Sequence, residues 1–468
     1  MSGRYFALLL PVFVGCQSQG DVLAMREALI EQWGDHSTAL LDENELLVQR
    51  YDRDFTQIRM SPERLELLAS YDAVGIQRVQ IPAGEDFWSV WAALEASGEY
   101  SMIEPPIERS LPEYRSLQAP LRQPTANSFN DPFLSYQVNM VNIQADSFQA
   151  GADGSGVVVA VIDTGVTAAG NDTPVNLGPG FDFINNDSDA TDDEGHGTHV
   201  AGTIAQATNN GEGVIGVAPQ ATIMPIKSLD QNGNGTTNEI VAGINYAVSN
   251  GADVINLSLA SSGASSLEQN AINAALDAGI VVVAASGNNG IQTNGVSYPA
   301  AYPGVIAVSS TDFAGDLTLY SNAGPELTFA APGGELGIDS NGNGQIDQNE
   351  YEDLNGDGLP DGILQETISN GALNYYFFEG TSMATPHVAA AYAILLEAGA
   401  TPSQATDSLI ATVDDKGAAG FDALYGYGEI RVQSALDHYE ASLSSTAVSD
   451  LSAGDLLITE IMHDPSQV

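Results

Sequence analysis

From about residue 131 to residue 441 the apolar positions follow two alternating patterns. VVVAVIDTG (157–165), ATIMPIK (221–227), DVINLSL (253–259), IVVVAASGN (280–288) and VIAVSS (305–310) are short and almost wholly apolar. A strand with one wet face alternates apolar and polar residues, so unbroken runs of this length read as strands covered on both faces. Between them, NEIVAGINYAVSN (238–250) and LEQNAINAALDAG (267–279) repeat apolar residues at steps of three and four, the spacing of a helix with one buried face. The alternation predicts the α/β class, a doubly wound, mainly parallel sheet flanked by helices, with reactive groups at the carboxyl ends of its strands.

The flanks differ. Residues 21–115 read as a small α+β domain, with ELLVQRYD (45–52) and GIQRVQIP (75–82) alternating like strands. SPERLELLAS (61–70) and DFWSVWAALEAS (86–97) space their apolar residues like helices. Pro112, Pro120 and Pro124 loosen the stretch from 110 to 130, so residues 116–130 are expected to be an exposed, cuttable linker. Residues 442–468 begin serine-rich and end in DLLITEIMHDPSQV, which reads as one strand without partners. That run resembles the opening strand of lamin-tail-type β-sandwich domains, implying a longer protein; an edge strand added to the main sheet is the other reading.

Composition removes some functions. With 13 Lys+Arg against 61 Asp+Glu the net charge is −48, which repels phosphate backbones and excludes nucleic acid as a partner. An apolar fraction of 43% with 16% charged residues belongs to a folded chain rather than a disordered one. Cys16 is the single cysteine, which excludes an internal disulfide and a cysteine-rich metal centre. Arg4 precedes the apolar run YFALLLPVFVG (5–15), too short to span a bilayer and suited to an export signal, and Cys16 follows directly. Residues 1–16 thus resemble a bacterial lipoprotein signal, implying a lipidated Cys16 as membrane anchor, although Phe13 stands where that family prefers Leu. A plain secretion signal and a buried thiol are the alternatives.

Three distant segments each offer one part of a nucleophile, base and orienter. Asp163 ends the run VVVAVID, His196 opens HGTHVAGTIAQA (196–207), and Ser382 follows Gly380 at the start of GTSMATPHVAAAYAILLEAG (380–399). A serine hydroxyl is a weak nucleophile at neutral pH and needs a base in reach; a histidine oriented by a buried carboxylate meets that need. The chain order Asp, His, Ser is one of the known triad orders. VIDTGV, HGTHVAG and GTSMATPHVA together make residues 131–441 resemble a subtilisin-type serine protease domain.

The resemblance implies acyl transfer from a peptide to Ser382, with His196 as base and Asp163 as its orienter. It also implies that Asn288 of AASGNNG (284–290) donates to the oxyanion, with Asn289 as rival. Ser258, Leu259 and Ala260 would line one substrate edge and Gly233, Asn234 and Gly235 the other; Ala260 replaces the family's usual glycine. Residues 21–115 would be an inhibitory propeptide, cut by the enzyme itself between residues 110 and 130. Two rival readings stand beside it. A catalytically silent calcium-dependent surface module would be favoured by a missing triad member, and none is missing. A lipase or esterase would need a GxSxG elbow and the order Ser, Asp, His, and has neither. His196 lacks the HExxH context of a zinc hydrolase, and His199 and His387 read as packing residues.

Within an insertion at 336–364, DSNGNGQIDQNE (339–350) places oxygen ligands on alternating positions with Gly344 at the sharp turn, the pattern of a calcium loop. Asp339, Asn341, Asn343, Asp347 and Glu350 are the expected ligands. DLNGDGLPD (353–361) repeats the pattern with Asp353, Asn355, Asp357 and Asp361. A third candidate, FDFINNDSDATDDEGHG (181–197), resembles the calcium segment of thermitase-like enzymes and offers Asp182, Asp187 and Asp189. Calcium is therefore expected as a structural ion, with no catalytic cofactor.

Overall fold

The structure is a computed structural model that describes residues 45–50, 66–71, 76–81, 87, 90–91, 93–94, 100–112, 114–119, 129–146, 152–291, 295–337, 350–369 and 371–449. Cys16, the residues 120–128, the first calcium loop up to residue 349, and the run 450–468 lie outside them.

At the N-terminal side β1 (Glu45–Arg50), β2 (Glu66–Tyr71), β3 (Ile76–Gln80) and β4 (Tyr100–Glu104) form an antiparallel sheet ordered β2-β3-β1-β4. Leu46, Val79, Phe87, Trp91 and Leu94 make a small core against it, with Phe87, Trp91 and Leu94 helical as expected. The helix expected over 61–70 is corrected, because Glu66–Tyr71 is the edge strand β2 paired with β3. Pairing with a neighbour outweighed the weak helical spacing of so short a run.

At residues 116–118 the expected linker is also corrected. β5 (Glu108–Ser110) and β6 (Arg115–Gln118) are strands, and both pair with elements of the larger domain rather than with the small sheet. Prolines punctuate this stretch, but the backbones of β5 and β6 are hydrogen-bonded to partners distant in sequence, which local composition cannot reveal.

A short helix, α1 (Val138–Asn142), leads into a seven-stranded sheet. Its strands are β7 (Val158–Asp163), β8 (Phe181–Asp182), β9 (Thr222–Lys227), β11 (Val254–Leu257), β12 (Val281–Ala285), β13 (Ile306–Thr311) and β14 (Leu327–Pro332). All pairs are parallel and the order is β14-β13-β12-β11-β7-β9-β8. Successive residues of β7 feed opposite cores, Val159 and Val161 one layer, Ala160 and Ile162 the other. That explains why the run carries no polar alternation.

The helices lie on both faces. α2 (His196–Ala205) and α5 (Thr381–Glu397) pack into one core; α3 (Thr237–Ser249) and α4 (Ser266–Asp277) pack into the other. Local sequence starts α3 with a Thr236/Glu239 capping box and α4 with the Ser265 side chain at Glu268 N. β10 (Asn234–Thr236) precedes α3, and a hairpin of β15 (Ile363–Ser369) and β16 (Ala372–Glu379) leads to α5. α6 (Pro402–Thr412) and α7 (Val432–Ser449) close the domain. The last boundary corrects the expected linker, since α7 runs through residues 442–449. The insertion likewise gives way to β15 at Ile363.

Candidate active site

Asp163 is the last residue of β7, at the carboxyl edge of the sheet, and is fully buried. Its Oδ1 accepts from Thr164 N at 2.8 Å and lies 2.8 Å from His196 Nδ1. Since a carboxylate can only accept, the proton sits on Nδ1 and Nε2 is the free acceptor. His196 is buried, and its Nε2 makes no hydrogen bond.

The preceding loop fixes that histidine. Gly195 has φ +122°, and a Cβ there would stand 2.1 Å from Ile368 O, so a residue with a side chain does not fit. Gly195 cannot cap α2 with a side chain, and two carboxylates take over. Glu194 Oε2 accepts from His196 N at 2.7 Å, while Asp192 Oδ1 accepts from Gly195 N and Oδ2 from Thr198 N, both at 2.9 Å. Burial alone would lower the His196 pKa, but the charge and hydrogen bond of Asp163, backed by Glu194 and Asp192, outweigh it and raise the value above 6.5.

Ser382 lies in the first turn of α5, after Gly380 at φ +149°. A Cβ on Gly380 would come 3.1 Å from Asn288 Nδ2 and 3.7 Å from Ser382 N, so these two donors flank one point. Asn288 Oδ1 accepts from Thr381 N at 3.0 Å and from Thr381 Oγ1 at 2.7 Å, which fixes which end of the amide faces the cleft. Asn289 instead donates its backbone N–H to Asn322 Oδ1 at 2.8 Å. Pro386, inside α5, has no N–H to give Ser382 O four residues back, and Ser258 Oγ donates there at 2.9 Å. Ser382 Oγ in turn donates to Ser258 O at 3.1 Å.

The substrate edges expected from sequence do face one another, with a strand of this same chain between them. Asn234 pairs with Ser110 and Gly235 with Arg109 in β10 and β5. Leu111 N donates to Gly233 O at 3.0 Å on that same side, and on the other Ala260 N donates to Ser110 O at 3.0 Å. Ser258 and Leu259 are buried beside this edge. Ser110 opposite Ala260 in antiparallel register sets Pro112 opposite Ser258, the residue bonded to Ser382. Pro112, Ala260, Asn288 and Ser297 line a cavity of about 780 Å³.

Beyond that point the Tyr114 ring lies 5.0 Å from the His196 ring, and its hydroxyl donates to Glu194 Oε1 at 2.6 Å. Arg115 pairs with Glu379 and donates to Gly337 O at 2.7 Å. Tyr114, Arg115 and Glu194 escaped sequence reasoning, because nothing local marks a residue whose partner is eighty or more positions away. His199 and His387 are buried, held at Ile363 O and Met383 O, and burial lowers their pKa values to about 3 and about 4.

Of the calcium candidates, Asp339, Asn341, Asn343 and Asp347 lie outside the described residues, and Glu350 is buried. In the second loop Asp353 accepts from Asp357 N and Gly358 N, Asn355 from Asp357 N, and Asp357 from Leu359 N. Asp361 Oδ1 is buried without a hydrogen bond, and burial, with Asp353, Asp357 and Glu352 nearby, raises its pKa to about 7. A buried carboxylate oxygen facing other acids fits a cation. In the third candidate both Asp182 oxygens are taken by Ile184 N, Asn185 N and Asn185 Nδ2, and Asp189 holds Thr191. Among the described residues no group of three or more His, Cys, Asp or Glu is placed to hold a metal ion.

A serine at a helix start, a histidine tied to a buried aspartate and a cleft that pairs with an extended strand define a serine peptidase. The subtilase family model matches residues 154–428, and the chain belongs to that family of subtilisin-like serine endopeptidases. It is 40% identical over 298 residues to subtilisin DY of Bacillus licheniformis, covering 63% of this chain and 96% of that protein. Against the minor extracellular protease Epr of Bacillus subtilis (strain 168) it is 34% identical over 308 residues, covering 64% of this chain but 42% of Epr. The crystal structure of fervidolysin from Fervidobacterium pennivorans, a keratinolytic enzyme related to subtilisin, matches 84% of this chain and 61% of that one. Its TM-score is 0.63 at 26% identity.

Proposed function

We propose that the chain is the precursor of an exported, calcium-stabilised serine endopeptidase whose own N-terminal region, residues 21–115, blocks the cleft. Ser382 is the nucleophile, His196 the general base, Asp163 its orienter, and Asn288 with Ser382 N–H the oxyanion donors. The observation that carries this reading is the 2.8 Å Asp163–His196 bond, which leaves Nε2 as an acceptor in the cleft that holds residues 108–119.

Ser382 Oγ turns from Ser258 O to His196 Nε2, gives up its proton and attacks the substrate carbonyl carbon. The oxyanion that forms is held between Asn288 Nδ2 and Ser382 N–H. Collapse breaks the C–N bond, and the proton on Nε2 leaves with the amine. Water then attacks the ester, again losing its proton to His196, and frees the acid and Ser382.

The Ser110–Ala260 register supports a cut after Pro112, within the region expected to be cut. Proline lacks the N–H that any other residue would offer Ser258 O, and Ser382 Oγ donates there instead. The segment therefore docks as a slow substrate, and Tyr114 covers the base.

Calcium in the loops at 339–361 would supply charge neutralisation, with Asp353, Asp357 and Asp361 on hand in the second. Export rests on the apolar run before Cys16 and on extracellular relatives such as Epr. Lipidation of Cys16 would anchor the enzyme. The assignment of Ser382 is tested by labelling with a fluorophosphonate: mass spectrometry should find one adduct, on the peptide containing Ser382, and none in Ser382→Ala. An adduct elsewhere would refute it.

A further inference from the structure

The geometry points to Glu268 as the residue that makes this peptidase prefer arginine at the fourth position before the cleaved bond. The inference rests on the proposed function and deepens it. In the cleft-bound strand β5, Arg109 sends Nε to Glu268 Oε1 at 2.9 Å and Nη2 to Oε2 at 2.6 Å, a two-pronged pair. Both side chains are completely buried. With Pro112 opposite Ser258, Arg109 is the fourth residue counted back from the reacting bond.

Glu268 belongs to the enzyme and is held where it is. It sits in the first turn of α4, its N–H bonded to Ser265 Oγ. Tyr302 Oη accepts from Ser265 N at 2.6 Å and donates to Ser265 O at 2.9 Å, fixing that helix end. Arg109 is the ion-pair partner of Glu268 among the described residues, and it departs when the N-terminal region does. A substrate taking the same strand position presents its fourth residue to a preplaced carboxylate. An apolar side chain there would bury that carboxylate beside the Tyr302 hydroxyl but with no cation, which costs more than the bond alone. Lysine offers one point charge, whereas the planar guanidinium matches both oxygens.

The net charge of −48 attracts any cationic peptide, so the test must separate position from charge. Enzyme processed from the full chain is given quenched peptides with Arg, Lys or Leu at the fourth position, and one with Arg moved to the fifth. The expected kcat/KM for Arg at the fourth position exceeds that for Leu by at least about tenfold, with Lys between, and persists in high salt. Glu268→Gln should reduce the advantage to under about threefold. Equal values for Arg and Leu, or an advantage that follows Arg to the fifth position or survives Glu268→Gln, would overturn the inference. Affinity is read apart from turnover by calorimetric titration of Ser382→Ala enzyme, cut in trans by wild type and purified. Tighter binding of the fourth-position Arg peptide supports the inference even if no peptide is hydrolysed, a result that would sink only the catalytic reading. Equal binding overturns it whatever the turnover.

Discussion

Ser258 and Ser382 exchange two hydrogen bonds: Ser382 Oγ donates to Ser258 O at 3.1 Å and Ser258 Oγ donates to Ser382 O at 2.9 Å. The first exists where a docked substrate would compete for the same carbonyl. The second exists because Pro386 leaves the Ser382 carbonyl without its helical partner.

It follows that Pro112→Ala restores an N–H opposite Ser258 O and makes residues 108–119 a better substrate. One added hydrogen bond is worth about 1 kcal/mol, so self-processing should quicken by roughly fivefold to tenfold. Gel analysis of freshly refolded chain measures the rate; an unchanged rate contradicts the proposed register.

The sheet, and the element ends that carry the three candidate triad residues, were legible from sequence for a physical reason. Both-face burial removes polar alternation from β7, β11 and β12, and Asp163, His196 and Ser382 sit where those runs and the buried helices begin or end. Glu66–Tyr71, the strand β6 and residues 442–449 differ from the pattern of their own spacing because their structure comes from partners or helix continuation. Glu268 reads locally as an ordinary acid in a first helical turn; only Arg109 gives it meaning.

Asn288→Ala removes one oxyanion donor and leaves the substrate edges intact. The expected kcat falls by about 10²–10³-fold with KM changed little. A loss confined to KM would assign Asn288 to substrate binding instead.

The rate should depend on a neutral His196. Because its pKa is raised, activity falls as pH drops through a value above 6.5 rather than at or below it. Asp163→Asn removes the largest raising influence and leaves burial, which lowers the value; its residual activity should therefore persist to lower pH. A pH–rate profile of both enzymes checks this, and an unshifted acid limb contradicts it.

Removing calcium should lower stability. At a concentration one hundred times its Kd, a bound ion contributes about 2.7 kcal/mol, or a Tm shift of roughly 3–5 °C for a domain this size. Thermal unfolding of Ser382→Ala chain, which cannot digest itself, with and without a chelator, measures it. Asp361→Asn should shrink the difference, and equal Tm values in both buffers would contradict the calcium proposal.

The proposed hydrolysis is assigned to Ser382, activated by His196 and Asp163. The most direct measurement is casein hydrolysis by wild-type and Ser382→Ala chains, each cleared of other proteases and followed before and after the N-terminal region is cut away. Ser382→Ala should lose activity by about 10⁴–10⁶-fold, and adding His196→Ala should cost little more, because the residues act as a unit. Equal hydrolysis by the two chains would contradict that assignment.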